Sequence, residues 1–101
     1  MTPEAKVKNK IKEILKKHKA YYAMPIGSGY GNSGVPDFLI CHNGHFIAIE
    51  AKAGRNEPTA LQWKNLKDIT NAGGTALVVN EENLHDLENA LTNGAYSTPT
   101  V

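Results

Sequence analysis

Asp37, Glu50 and Lys52 are the residues of this 101-residue chain whose types and spacing could do chemistry. They flank Asn43-Gly44, and Asn-Gly between two apolar runs is the strongest short-range hairpin signal. A two-residue type I′ turn pairs His42 with His45, and counting back along both strands brings Asp37 opposite Glu50. Residues so placed have Cβ atoms ~4.5–5.5 Å apart on one face, where like charges repel. A cation between them would remove the repulsion. Lys52 follows Glu50 by two and shares its face, so the patch holds two carboxylates and an ammonium, the makings of a divalent-metal site with a lysine beside it.

The same pair on an open sheet edge would be solvated and carry no chemistry. The neighbours weigh against that. Leu39, Cys41, Phe46 and Ala48 share the Asp37 face, and Phe38, Ile40, Ile47 and Ile49 form the other. Apolar residues on both faces predict a hairpin covered on both sides, with the acids at the rim of a buried sheet.

The rest of the chain must position that rim. Thr2-Pro3-Glu4 has the form of a helix start, and Val7, Ile11, Ile14 and Leu15 recur at helical spacing, predicting an amphipathic helix to Lys17. Glu4 falls one turn before Val7, where an acid serves either the helix dipole or the metal site. Ala20–Ile26 reads as a short edge strand ended by Pro25. The glycine-rich run 27–34 lacks the Gly-Lys-Ser/Thr ending of a nucleotide-binding loop; its amides and hydroxyls suit either a phosphate contact or a simple connector. Thr59-Ala60-Leu61-Gln62 fits a capping box, which by itself accounts for Gln62, and a helix to Ala72 follows with Trp63, Leu66 and Ile69 as its apolar side. Gly73-Gly74 ends it. Thr75–Val79 reads as a buried strand, and Asn80 as the cap of a last helix stopped by Gly94. Residues 95–101 show no pattern and are expected to be a disordered tail. A helix between the hairpin and the last strand predicts a crossover to a parallel neighbour. The expected fold is therefore α/β: a mixed sheet of about four strands with helices on both faces, in one domain over residues 1–94.

Composition narrows the function. No apolar run is long enough to span a membrane, and the lysine-rich start lacks the apolar segment of a secretory signal. With one cysteine there is no internal disulfide and no CxxC motif; Cys41 is expected to be a small buried hydrophobe in a reducing compartment. Net charge is only +1, yet seven of the eleven basic residues lie between Lys6 and Lys19 and none follows Lys67. A basic end suits contact with a polyanion, although such a run is also what a solvated helix face looks like. His18, His42, His45 and His85 show no zinc spacing.

These residues resemble the PD-(D/E)xK nuclease superfamily, whose signature is matched by Pro36-Asp37 and Glu50-Ala51-Lys52 on the hairpin. Within it the chain looks like a stand-alone VRR-NUC domain. The acid Glu4 in the first helix, Gly34-Val35-Pro36-Asp37, Glu50-x-Lys52 and Gln62 in the following helix all fit, over Thr2 to Val79. The resemblance implies a restriction-endonuclease-like sheet and a deoxyribonuclease dependent on Mg²⁺ or Mn²⁺, held by Asp37, Glu50 and the Ala51 carbonyl. It implies that Lys52 orients or deprotonates the attacking water and offsets charge in the transition state. Glu4 would complete the site through a water, and Gln62 would position water or phosphate.

Stand-alone members look like dimeric, phage-type resolvases of four-way (Holliday) junctions, so the resemblance implies branched or duplex DNA as substrate, a homodimer, and an intracellular setting, phage-encoded proteins included. A C2 dimer would place two active sites on the junction's two equivalent strands. DNA contacts are expected from Lys6, Lys10, Lys12, Ser28, Tyr30, Asn32, Ser33, Arg55 and Lys64. No zinc finger or helix-turn-helix signature accompanies them, so phosphate and shape contacts are expected rather than base reading. A flap or end nuclease, or a nickase, would use the same site. A DNA-binding module without catalysis would keep the basic helix and lose the acid-acid-lysine set.

Overall fold

Asn43 and Gly44 both have positive φ, 51° and 80°, the backbone that a type I′ turn requires and that matches the twist of the strands it joins. The turn sits in a computed structural model that describes residues 1–26 and 34–94. Ser28, Tyr30, Asn32 and Ser33, and the expected tail 95–101, lie outside the described residues. The elements are α1 (Pro3–Lys17), β1 (Tyr21–Ala23), β2 (Phe38–His42), β3 (His45–Ala51), α2 (Ala60–Asn71), β4 (Thr75–Val79) and α3 (Leu84–Asn93).

The sheet order is β1-β2-β3-β4. His42 pairs with His45 and Phe38 with Ile49, so the register is the one the turn predicts. β1 is an antiparallel edge strand, Tyr21 opposite Cys41, and β4 runs parallel to β3 with Glu50 beside Val78. The backbone amide of Lys52 donates to the Val79 carbonyl at 2.9 Å, which carries the β3–β4 ladder one residue past the strand end.

One face of the sheet is the core. Val7, Ile11 and Leu15 of α1 and Leu87 and Leu91 of α3 pack on Phe38, Ile40, Ile47, Ile49 and Val79, all buried. Thr2 caps α1 by accepting from the Ala5 amide at 3.1 Å, with Pro3 in the first turn. The Lys17 ammonium and Glu88 carboxylate, 2.5 Å apart, tie α1 to α3, and this hydrogen bond holds Glu88 below the usual carboxylate range.

The other face differs from the expectation of a hairpin covered on both sides. α2 lies over β3 and β4, burying Ala48, Ala76 and its own Leu66. It does not extend across β2. Leu39 is half-buried, Phe46 is exposed, and Cys41, expected in the interior, is exposed too. Periodicity in a strand reports which residues share a face; whether a helix reaches that face is set by the crossover. Trp63, expected on the packed side of α2, is likewise 36% exposed. The last helix also starts later than expected. Asn80 builds a turn instead, its side chain accepting from the Glu82 and Asn83 amides, and α3 begins at Leu84. It ends at Gly94, whose φ of 65° is the left-handed cap. Among the described residues no helix is long and apolar enough to cross a membrane.

The chain reaches β2 through a tight passage under the first turn of α2. A Cβ on Gly34 would lie 2.6 Å from the Leu61 carbonyl oxygen and 2.7 Å from Asn65 Nδ2, and the backbone member of that pair cannot step aside. Gly34→Ala should therefore cost about 1–3 kcal/mol in urea denaturation, the usual range for overpacking. A loss under about 0.5 kcal/mol would mean that the passage is slack.

Candidate active site

Glu50 is the buried member of the site, 2% exposed in a strand covered on both faces. Its Oε2 accepts from Gln62 Nε2 at 3.2 Å and lies 3.6 Å from Lys52 Nζ. Its Oε1 is buried and meets no hydrogen-bond donor among the described residues. An ionised carboxylate oxygen left dry in this way is costly unless a cation or a proton takes it.

Asp37 occupies the bend just before β2, one step along the register from the Phe38–Ile49 pair and so across from Glu50. Its Oδ2 accepts from the Ala51 amide at 2.9 Å, a bond that fixes the carboxylate against the end of β3. Its Oδ1 lies 3.6 Å from the Nζ of Lys8 on α1. Lys8 also meets Glu4 Oε2, 3.5 Å away and one helical turn earlier. Glu4 thus joins the group through Lys8, and its first-turn position suits the helix dipole as well.

Gln62 closes its own capping box and also reaches Glu50. Its Oε1 accepts from the Thr59 amide at 2.9 Å, closing the capping box. Its Nε2 donates to Glu50. The cap orients the amide, and the oriented amide holds the buried carboxylate.

The expected DNA contacts are more dispersed. At about 100° per residue around a helix, Lys6 and Lys10 fall on the side of α1 away from Glu4 and Lys8, and Lys10 pairs with Glu13. Lys12 flanks the site side. Lys64 pairs with Asp68 at 2.8 Å on a solvent face of α2, turned away from Gln62. Arg55 is exposed beside the start of α1, in a cleft of about 560 Å³ with Glu4, Asn56 and Glu81. A larger cleft of about 760 Å³ opens at the turn end of the hairpin, near Phe46 and Gly73, away from the acids. Lys8 is the site residue that the sequence reading overlooked; its spacing from Glu4, four residues on the same helix face, was the available signal.

Among the described residues no group of three or more His, Cys, Asp or Glu side chains converges as a ready-made metal cage. What converges is a pair of carboxylates beside the backbone of Ala51. All of its candidate ligand atoms are oxygens, the type that a hard divalent cation takes while keeping several waters, and Glu50 Oε1, with no donor among the described residues, is the one with a ligand position to spare.

Electrostatics state the same tension. Burial first, then the charge of Asp37, push the Glu50 carboxyl up to about 8 against the pull of Lys52; a hydrogen bond to Asp37 and the charge of Glu4 add to the rise. The folded protein therefore keeps a proton that the unfolded chain releases near its ordinary carboxylate pKa. Stability attributable to this group falls as pH rises between the two values, by at most about 1.4 kcal/mol per pH unit. Metal-free protein should melt lower at about pH 8.5 than at about pH 6, and Glu50→Gln, which keeps the shape and can still accept from Gln62, should flatten that dependence. Parallel pH profiles for variant and wild type in thermal melts would assign the effect elsewhere.

No protein-family model matches the chain and no curated protein matches it.

Proposed function

We propose that this protein is a nuclease that hydrolyses DNA phosphodiester bonds with Mg²⁺ or Mn²⁺, acting on branched DNA as a four-way junction resolvase. The observation that carries the reading is the Glu50 carboxylate: buried, opposite Asp37, 3.6 Å from Lys52, and with one oxygen that meets no donor among the described residues. A purely structural carboxylate would be expected to satisfy both oxygens or to lie in water. Asp37, Glu50 and the backbone carbonyl of Ala51 are the proposed cation ligands. The cation supplies Lewis acidity and lowers the pKa of water.

The chain's own groups do the rest. The Ala51 amide and Gln62 hold the two carboxylates in place from opposite sides, so little reorganisation is needed as charge develops. Lys52, its side chain 13% exposed beside Glu50, would orient the attacking water and offset negative charge on the phosphorus oxygens in the transition state. The reading draws substrate affinity from Lys6, Lys10 and Lys12 on α1 and from Arg55 at the neighbouring cleft, through phosphate contacts that carry no sequence information. A two-fold symmetric junction is the substrate that a homodimer of so small a domain would suit.

Asp37→Ala, Glu50→Ala and Lys52→Ala should each lower Mn²⁺-dependent cleavage of a four-way junction by about 10²-fold or more. Binding of the same junction in chelator, followed by gel shift, should persist. The wild type, assayed on junction, flap, nicked and linear duplex DNA, should cut the junction first. Preferential cutting of flaps or ends would reassign the substrate and keep the chemistry; full activity in Lys52→Ala would remove the mechanism.

A further inference from the structure

Lys8 has no part in the hydrolysis just described, yet it is bound into the site more directly than any lysine expected to contact DNA. Its ammonium lies 3.6 Å from Asp37 Oδ1 and 3.5 Å from Glu4 Oε2. Oδ1 is the Asp37 oxygen that does not accept from the Ala51 amide, and so the one freer to ligate. We infer that Lys8 is an internal counter-cation that competes with the divalent ion for Asp37 and so sets the concentration at which the site loads. The inference rests on the proposed metal site.

Three observations support it. First, the charge at the site balances without Lys8 once a divalent ion is present. With Glu50 ionised as a metal ligand, Glu4, Asp37 and Glu50 carry three negative charges, which one divalent ion and the Lys52 ammonium neutralise, leaving the Lys8 charge in excess. Without the ion, Lys8 is the cation facing Asp37. Second, the two lysines differ in freedom. The Lys52 side chain is 13% exposed against a carboxylate 3% exposed, whereas Lys8 is 29% exposed and pairs with acids exposed 22% and 40%. A flexible four-carbon stem at such a position can carry its ammonium to water. Third, Lys8 keeps an alternative partner when Asp37 is taken, because Glu4 is one helical turn away on its own helix.

The test is a titration of DNA-free protein with Mn²⁺ to millimolar concentration, free ion read by electron paramagnetic resonance, on wild type, Lys8→Met, Lys8→Arg and Asp37→Asn. Lys8→Met retains the stem and removes the charge, and should bind Mn²⁺ about two- to five-fold more tightly, the span expected from deleting a partly exposed ion pair. Lys8→Arg should stay close to wild type, and Asp37→Asn should lose binding. Thermal melts separate competition from a scaffolding part: Lys8→Met should melt below wild type without metal, and the gap should close at saturating Mn²⁺. Affinity in Lys8→Met equal to or weaker than wild type, with Asp37→Asn still losing the ion, would overturn the part given to Lys8 and leave the metal site standing. Absence of Asp37-dependent Mn²⁺ binding in wild type would overturn the metal site and this inference with it.

Discussion

Two carboxylates forced face to face at the end of a hairpin are the constraint on which the rest of the site depends. The turn at Asn43-Gly44 sets the register, and the register leaves Asp37 and Glu50 no freedom to separate along the strands. Four polar neighbours answer that repulsion: the Ala51 amide on Asp37, Gln62 and Lys52 on Glu50, and Lys8 between Asp37 and Glu4. One oxygen, Glu50 Oε1, is left without a donor among the described residues. A fold selected for stability alone would place an apolar or hydrogen-bonded residue there. Keeping a buried carboxyl whose pKa is pushed up to about 8 by burial and by Asp37 is the kind of local cost that marks a functional position.

The helices divide the work between scaffold and site. α1 and α3 fill the Ile47–Ile49 face with apolar residues. α2 covers only half of the opposite face, and its first turn is what the site uses: Thr59 orients Gln62, and Gln62 reaches Glu50. Gly34 then lets the segment leading to Asp37 pass directly beneath that turn. Glu50 is anchored to that helix end through Gln62, whereas Asp37 is held by the Ala51 amide and by Lys8. α1 adds a third connection, since the helix that completes the core also delivers Glu4 and Lys8 to the rim.

Much of this was legible in the sequence wherever a short-range rule applied. The hairpin register, the two helix caps at Thr2 and Thr59, the left-handed stop at Gly94 and the parallel last strand all depend on residues within a few positions of each other or on a chirality rule. Asp37, Glu50 and Lys52 share a patch because the pleat alternates with period two. The misjudged positions lie where two distant elements either meet or fail to meet. Cys41, Phe46 and Trp63 are apolar by type and were expected inside, but α2 stops short of β2 and leaves them at the surface. Asn80 has the chemistry of a cap and instead turns the chain ahead of α3.

The sequence by itself determined the identity and order of the elements and the face on which the acids lie, because turn chemistry and strand periodicity act over a few bonds. Only the tertiary structure decided that Gln62 holds Glu50 as well as its own helix end, that Lys8 rather than Lys6 or Lys10 stands beside Asp37, and that one Glu50 oxygen meets no donor among the described residues. Those outcomes depend on how far a crossover helix reaches and how α1 is rotated on the sheet. Both are set by the packing of Leu66 on one face and of Val7, Ile11 and Leu15 on the other, a sum over many contacts that no local pattern encodes.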